Sequence, residues 1–316
     1  MTDATNKSSA SKSCDKCPAP SVLWQRTSGR HLCKTHFLVD FDRRAKHEIG
    51  QQGRLPQGRI AVALSGGKDS VAVLHFLNRM TKDMPRVDLV AVSIDEGIAG
   101  YRDGSLQICK DVTSAWNIPW HLITTKEMAG YAIDDYAAGT SGPDAIGEPR
   151  ASCGACGVFR RTGINRLARE VNADVVVTGH NLDDMAQTIL MNHLRGDVDR
   201  MARLAPHDDV QPGLVPRLLP FRTIPEKEVL LYGVLHGLPI HDDAECPYAA
   251  RSNRFEMRDI LTGIEKRHPG TRHALLNGAD KMKPLFGKRE ATATPCATCG
   301  EPSSGETCKV CFYRAG

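Results

Sequence analysis

From Arg59 onward, short apolar runs alternate with stretches whose apolar residues recur every three or four positions. "RIAVAL" (Arg59–Leu64) is an apolar run of strand length, and "SVAVLHFLNRM" then puts Val73, Leu74, Leu77 and Met80 on one helical face. The pattern repeats. "DLVAVSID" (Asp88–Asp95) reads as a second strand, "SLQICKDVTSAW" as a helix, and "WHLITT" (Trp120–Thr125) as a third strand. "GVFRRTGINRLAREV" is helical, "ADVVVTGH" (Ala173–His180) is a fourth strand, and "LDDMAQTILMNHLRG" is another helix. Strands that are apolar throughout are covered on both faces, so the pattern predicts an α/β fold built on a parallel sheet. Its crossovers are right-handed and its ligands bind at the carboxyl ends of the strands. Helical periodicity returns in "EKEVLLYGVLHG" and "NRFEMRDILTGIEKRHPGTRHALLNGADKM". "KEMAGYAIDDYAAGTSGPDAIGEPRAS" has no clear period, and so long a loop inside a compact domain is expected to be mobile or functional.

Composition narrows the class. The 316 residues are 41% hydrophobic and 25% charged, as in a globular protein. Aromatics are only 5%, which argues against a wide base-stacking surface. The net charge of +4 points only weakly to nucleic acid. No apolar run approaches the roughly 20 residues that cross a bilayer. The opening "MTDATNKSSASKS" is polar, without the apolar core of a signal peptide. A disordered tail, a cytoplasmic location and no membrane partner are expected.

Eleven cysteines change the picture, because all but Cys109 fall in paired or metal-like spacings. Cys14 and Cys17, then Cys33 and His36, form C-x2-C and C-x2-H pairs suited to tetrahedral zinc. Cys296, Cys299, Cys308 and Cys311 form C-x2-C-x8-C-x2-C in a stretch too short for a core of its own. Metal would supply the folding energy of such a ribbon. "CGACGVFRR" supplies Cys153 and Cys156, and "AECPY" supplies Cys246. Three thiolates do not complete a zinc site; they suit a [4Fe–4S] cluster with one iron left open. A redox disulfide or persulfide relay, or three structural thiols, are the rival readings.

"SGGKDS" ends the first strand and opens a helix, the general recipe for holding phosphate on backbone amides. Ser65 and Ser70 offer hydroxyls and Lys68 a cation. Asp69 is unlike a Walker A loop, which closes in Lys-Ser or Lys-Thr. A carboxylate there suits magnesium bridging to phosphate. Helix capping is the alternative.

This strand, loop and helix resemble the PP-loop of ATP pyrophosphatases, which cleave ATP between its α- and β-phosphates and transfer AMP to a carbonyl oxygen. With "CGVFRR", "TGHNLDDMAQTILMNHLRGD" and "CATCGEPSSGETCKVCF", the chain from Cys14 onward is most similar to the tRNA 2-thiolation branch, closest to the wobble-uridine subunit of eukaryotes and archaea. The sister group, which thiolates the T-loop uridine, fits "CGVFRR" less well. The resemblance implies a tRNA sulfurtransferase that uses ATP, Mg2+, two Zn2+ and a [4Fe–4S] cluster. Its partners would be tRNA, a thiocarboxylated ubiquitin-like sulfur carrier, and a second copy or partner subunit. Ala63, Leu64, Ser65, Gly66, Gly67, Lys68, Asp69 and Ser70 would hold ATP, with Asp69 on magnesium and Lys68 stabilising the departing pyrophosphate. Ile94 and Asp95 would lie by the adenine and ribose, Arg160 by a phosphate, and Gly179 would let the nucleotide approach the backbone. Asp183 or Asp184 would position magnesium or start a helix, with Asn181 or Asp183 an ordinary cap as the alternative. In a persulfide route Cys156 or Cys246 would be the attacking sulfur. Arg43, Arg44 and Lys46, then Arg195, Arg200 and Arg203, then Lys281, Lys283, Lys288 and Arg289 are candidate RNA-phosphate contacts.

The implied organisation is a tail (1–13), an N-terminal zinc module (14–40), a helix and linker (41–58), the PP-loop domain (59–245), a helical extension (246–290) and a zinc ribbon (291–316).

Overall fold

The computed structural model describes residues 12–53, 55–143, 145–206, 210–240, 246–249, 253–286 and 293–314. The tail expected over 1–13 therefore lies, up to residue 11, outside the described residues.

Two small hairpins come first: β1 (Ser13–Cys14) with β2 (Cys17–Pro20), and β3 (Leu23–Gln25) with β4 (Arg30–Leu32). Helix α1 (Lys34–Gln51) follows. The α/β body then runs β5 (Arg59–Ala63), α2 (Lys68–Thr81), β6 (Asp88–Asp95), α3 (Arg102–Ala115) and β7 (Trp120–Thr124). It continues through α4 (Thr125–Ala129), α5 (Ile133–Ala137), α6 (Cys153–Glu170), β8 (Val175–Val177), α7 (Leu182–Leu194), α8 (Val198–Ala202), β9 (Arg217–Leu218) and α9 (Glu226–His236). After these come α10 (Arg254–Arg267), α11 (Thr271–Met282), the hairpin β10 (Thr294–Pro295) with β11 (Pro302–Ser303), and α12 (Lys309–Arg314).

The sheet is parallel throughout, in the order β7-β6-β5-β8-β9. Succession runs outward from β5 to β7 and then returns to β5's other side at β8. The topological switch point, where a parallel sheet opens a ligand crevice, thus lies between the carboxyl ends of β5 and β8. The four expected strands are present. Ala173–His180 is regular only over its three central valines, and the Asp174 side chain ahead of them accepts from the Arg59 amide at 2.8 Å. The expected single helical run after the sheet is two helices, broken at Gly270, whose φ is +98°. The stretch read as aperiodic holds α4 and α5. Thr124 and Glu127 form a capping box at the start of α4, and the Arg150 guanidinium donates to the carbonyls of Tyr136, Ser141 and Pro143.

One face of the sheet packs on α1, α2 and α9, where Phe41 stacks on Tyr232 at 4.4 Å and meets Phe221 edge-on at 5.1 Å. The other packs on α6 around Phe159 and Tyr131, and Cys296, Cys308 and Cys311 of the terminal ribbon join that same core. The polar side of α1 is also tied in. Gln25 and Arg44 share the buried carboxylates of Asp40 and Glu228, and Glu48 pairs with Arg222 at 3.3 Å. The segment read as a basic helix and linker is therefore part of the core, and a boundary at 40/41 cuts through one helix. Among the described residues, no helix is long and apolar enough to cross a membrane.

Candidate active site

The turn after β5 is shaped by Gly66. Its φ is +86°, and a Cβ there would lie 2.1 Å from the Ser105 carbonyl oxygen. Both facts exclude any side chain. We expect Gly66→Ala to cost about 3 kcal/mol or more in denaturant unfolding and to abolish ATP retention. Ser65 and Ser70 hold the turn closed. The Ser65 amide and hydroxyl both donate to Ser70 Oγ at 3.1 Å, and that hydroxyl donates to the Gly67 carbonyl at 2.8 Å. Their hydroxyls, expected to face phosphate, are hydrogen-bonded to one another and to the loop backbone. Gly67 is the N-cap of α2 and no side chain caps the helix, an arrangement that suits an anion at the first-turn amides.

Asp69 does not cap. Lys68 Nζ donates to its Oδ2 at 3.1 Å and to Glu226 Oε1 at 2.6 Å, while Asp69 Oδ1 is buried without a partner. Burial pushes the Asp69 carboxyl up to about 6, against the pull of Lys68 and with the charges of Asp184 and Glu226 adding to it. A buried, unpartnered carboxylate oxygen among further carboxylates fits a divalent cation, which would remove that repulsion. The segment at the end of β8 divides its duties. Asn181 is the cap of α7, accepting from the amides of Asp183 and Asp184, and Asp184 completes the box. Asp183 accepts from the Glu226 amide and pairs with Arg272, and Asp184 pairs with Arg254. At Gly179, expected to admit the nucleotide, the absent side chain makes room for the loop: a Cβ would stand 2.6 Å from the Asp69 carbonyl.

The end of β6 is held by Arg102, which the sequence did not single out. It donates to the carbonyls of Ser65 (2.9 Å) and Ile94 (2.6 Å) and pairs with Glu96 at 2.6 Å. Ile94 is buried against the position of Gly163, so it offers an adenine no exposed side chain. Asp95 accepts from the Gly97 amide. Glu96 also pairs with Arg160 at 3.2 Å, one turn beyond Cys156.

Here the thiols arrive. Cys153 opens α6 and its sulfur lies 3.6 Å from the Tyr248 carbonyl; the Tyr248 hydroxyl donates to Asp134 of α5 at 2.7 Å. Cys156 and Cys246 pack against the same apolar cluster. Burial pushes Cys156 up to about 12, with the Glu96 charge adding to it, and raises Cys246 as well. The Cys153 charge raises both, and Cys153 itself lies against the chain two residues past Cys246. Arg160, one turn beyond Cys156, is linked through Glu96 and Arg102 to Ser65 of the phosphate loop. Among the described residues, the three sulfurs do not all fall within 4.8 Å of one another, as the two four-residue sets do. A single ion needs converged donors, and a polynuclear cluster needs them spread.

The outer sets are converged. In the first, His36 Nδ1 lies 3.4 Å from Cys14 Sγ, 3.5 Å from Cys17 Sγ and 3.4 Å from Cys33 Sγ, with Cys17 and Cys33 3.7 Å apart. Sulfurs about 2.3 Å from a tetrahedral zinc stand about 3.8 Å apart. In the second, Cys299 and Cys308 are 3.5 Å apart and Cys296 and Cys311 complete the group.

A family model described as PP-loop domain matches residues 38–244. The chain is 37% identical to the tRNA 2-thiolation protein NcsA of Haloferax volcanii, over 94% of this chain and 97% of the relative. The chain belongs to the tRNA 2-thiolation family of PP-loop proteins. Cytoplasmic tRNA 2-thiolation protein 1 of Bos taurus is 35% identical over 96% of this chain and 86% of the relative. The solved structure of the U34-tRNA thiolase NcsA from Methanococcus maripaludis with its [4Fe–4S] cluster superposes with a TM-score of 0.81, at 33% identity over 95% of both chains. Family and fold class agree with the resemblance seen in the motifs.

Within this 2-thiolation fold the basic groups part company. Arg44 is consumed by Asp40 and Glu228, Arg43 also pairs with Asp40 at 2.7 Å, Arg200 pairs with Asp197 at 3.0 Å, and Lys283 donates to the Pro206 carbonyl, while Lys46 is exposed. Lys288 and Arg289 lie outside the described residues. Glu96, Arg102 and Glu226 were missed. Only their places, just past a strand end or at a helix start, could have marked them. A cleft of about 580 Å3 between α6 and the terminal ribbon, lined by Arg166, Arg169 and Arg314 among others, is distinct from the site.

Proposed function

We propose that this chain is a tRNA-uridine 2-sulfurtransferase acting at the wobble position. One observation carries the reading: Cys153 reaches the carbonyl of Tyr248, two residues past Cys246, and Glu96, paired with Arg160 one turn beyond Cys156, pairs also with Arg102, which donates to the Ser65 carbonyl of the phosphate loop. The relatives' names, one of them a U34-tRNA thiolase, support the substrate.

The chemistry needs both halves. A uracil C2 oxygen is a poor leaving group. Its attack on the α-phosphate of ATP expels pyrophosphate and makes it part of AMP. A sulfur nucleophile then adds at C2, and AMP leaves with that oxygen. The α2 amides hold the phosphates, and Lys68 exchanges a carboxylate for charge developing on pyrophosphate. Asp69, with Glu226 beside it, would hold magnesium, which screens the phosphates. Cys153, Cys156 and Cys246 would hold a [4Fe–4S] cluster whose fourth iron supplies a place for sulfide. Arg160 remains half-open beside them and balances negative charge. Each outer set would hold a structural zinc. The sulfur reaches the site from a thiocarboxylated ubiquitin-like carrier, and the chain works with a second copy or a partner subunit.

Protein purified and reconstituted anaerobically, then given a tRNA transcript, ATP and sulfide, should yield 2-thiouridine at the wobble position by nucleoside and fragment mass spectrometry, with AMP and pyrophosphate in equal amounts. Thiolation confined to the T-loop would move the substrate to the sister branch. Tight tRNA binding without AMP release would make the chain an adaptor, and AMP release driven by a small carboxylate without RNA would make it a ligase.

A further inference from the structure

Most arginines near the site face an acid. Arg102 and Arg160 share Glu96, Arg254 has Asp184, and Arg272 has Asp183. Two do not. Among the described residues, neither Arg161 of α6 nor Arg217 of β9 has an ion-pair partner, and they lie side by side.

The backbone explains why they meet. Asn165 of α6 donates to the Gly213 carbonyl at 3.0 Å and accepts from the Val215 amide at 2.9 Å, clamping the approach to β9 along the helix. One turn earlier on α6, Arg217 Nη2 reaches the Arg161 carbonyl at 3.4 Å. The Arg161 guanidinium folds back toward the thiols, with Nη1 3.2 Å from where a Cβ on Gly157 would stand, next to Cys156. Partial desolvation and then the nearby Arg200 charge hold Arg161 below the usual arginine range; desolvation and then Arg161 do the same to Arg217. Like charges gathered without a counterion cost energy that an anion would return.

We propose that Arg161 and Arg217 form a fork for a phosphodiester of the substrate RNA, beside the thiols and apart from the nucleotide's phosphates. Planar guanidinium groups suit paired hydrogen bonds to phosphate oxygens. β9 lies two strands from β5 in the sheet, roughly 10 Å at ordinary strand spacing, so the fork and the phosphate loop can be filled together. The inference rests on the thiolation reading and assigns part of its RNA contact.

The test uses the full chain and a tRNA transcript with uridine at the wobble position. Arg161→Gln and Arg217→Gln should each weaken transcript binding about tenfold and reduce the salt dependence of log Kd by roughly one. ATP affinity, read by calorimetry, should stay unchanged, and the melting temperature should hold or rise as one of two like charges is removed. Arg161→Lys should keep the salt dependence while losing part of the affinity. Unchanged transcript binding and salt dependence in both glutamine variants would overturn the fork while leaving thiolation standing. A loss of ATP affinity instead would assign the phosphate to the nucleotide and overturn it equally. A wild-type chain that does not bind the transcript would sink the thiolation reading and the fork with it.

Discussion

Cys246→Ser should abolish thiolation and leave the fold in place. Cys246 lies outside the sheet, half-buried against the cluster around Phe159, and serine preserves its shape. What it loses is a soft thiolate donor. After anaerobic reconstitution, iron and sulfide should fall to near zero per chain and the visible absorption should vanish. 2-Thiouridine formation should drop by about a thousandfold, or about 4 kcal/mol in barrier terms. Cys153→Ser and Cys156→Ser should match it, because a three-cysteine cluster needs every ligand. A persulfide relay needs only two thiols, so one single variant that thiolates normally would end the cluster reading. The high position of the Cys156 thiol already disfavours it as an unaided nucleophile near neutral pH.

Asp69→Asn should stop AMP formation while making the nucleotide-free protein more stable. The Asp69 carboxyl titrates near 6 in the folded chain against an ordinary 3.8. Between those values the folded state holds more protons than the unfolded one, so stability falls as pH rises through the window. Below about 3.8 the cost is absent; above about 6 it is complete, at about 3 kcal/mol before Lys68's loss of one of two partners is deducted. The amide variant should therefore melt higher than wild type at pH 7.5, and the gap should close near pH 4. Added magnesium and ATP should stabilise wild type and do little for the variant. RNA-dependent AMP release should fall about a thousandfold or more, with transcript binding intact. A variant that turns over normally would exclude Asp69 as a metal ligand.

The α/β frame was legible because strands buried on both faces leave a signal no surface helix imitates. The four-donor sets were legible because metal geometry writes itself into spacing. β9 was not: two residues at a sheet edge carry no period, and only the partner strand makes them a strand. Arg102 and Glu96 escaped for a related reason. A buried ion pair looks in sequence like two surface charges, and its meaning comes from the carbonyls of Ser65 and Ile94 that folding brings to it. Ser65, Ser70 and Gly179 have a structural task that their motif does not reveal, since the loop's own closure uses the two hydroxyls and the space a side chain would fill.

Helix α1 joins two things that a domain boundary would separate. His36 sits in its first turn beside the hairpin cysteines, Phe37 follows it, and Phe41 one turn on meets Phe37, Phe221 and Tyr232. A polypeptide excised at residue 38, where the matched PP-loop domain begins, would have a frayed helix and an aromatic seam open to water. Such a fragment would aggregate, and it could not be rescued by adding the first 37 residues as a separate peptide unless they annealed as one continuous helix.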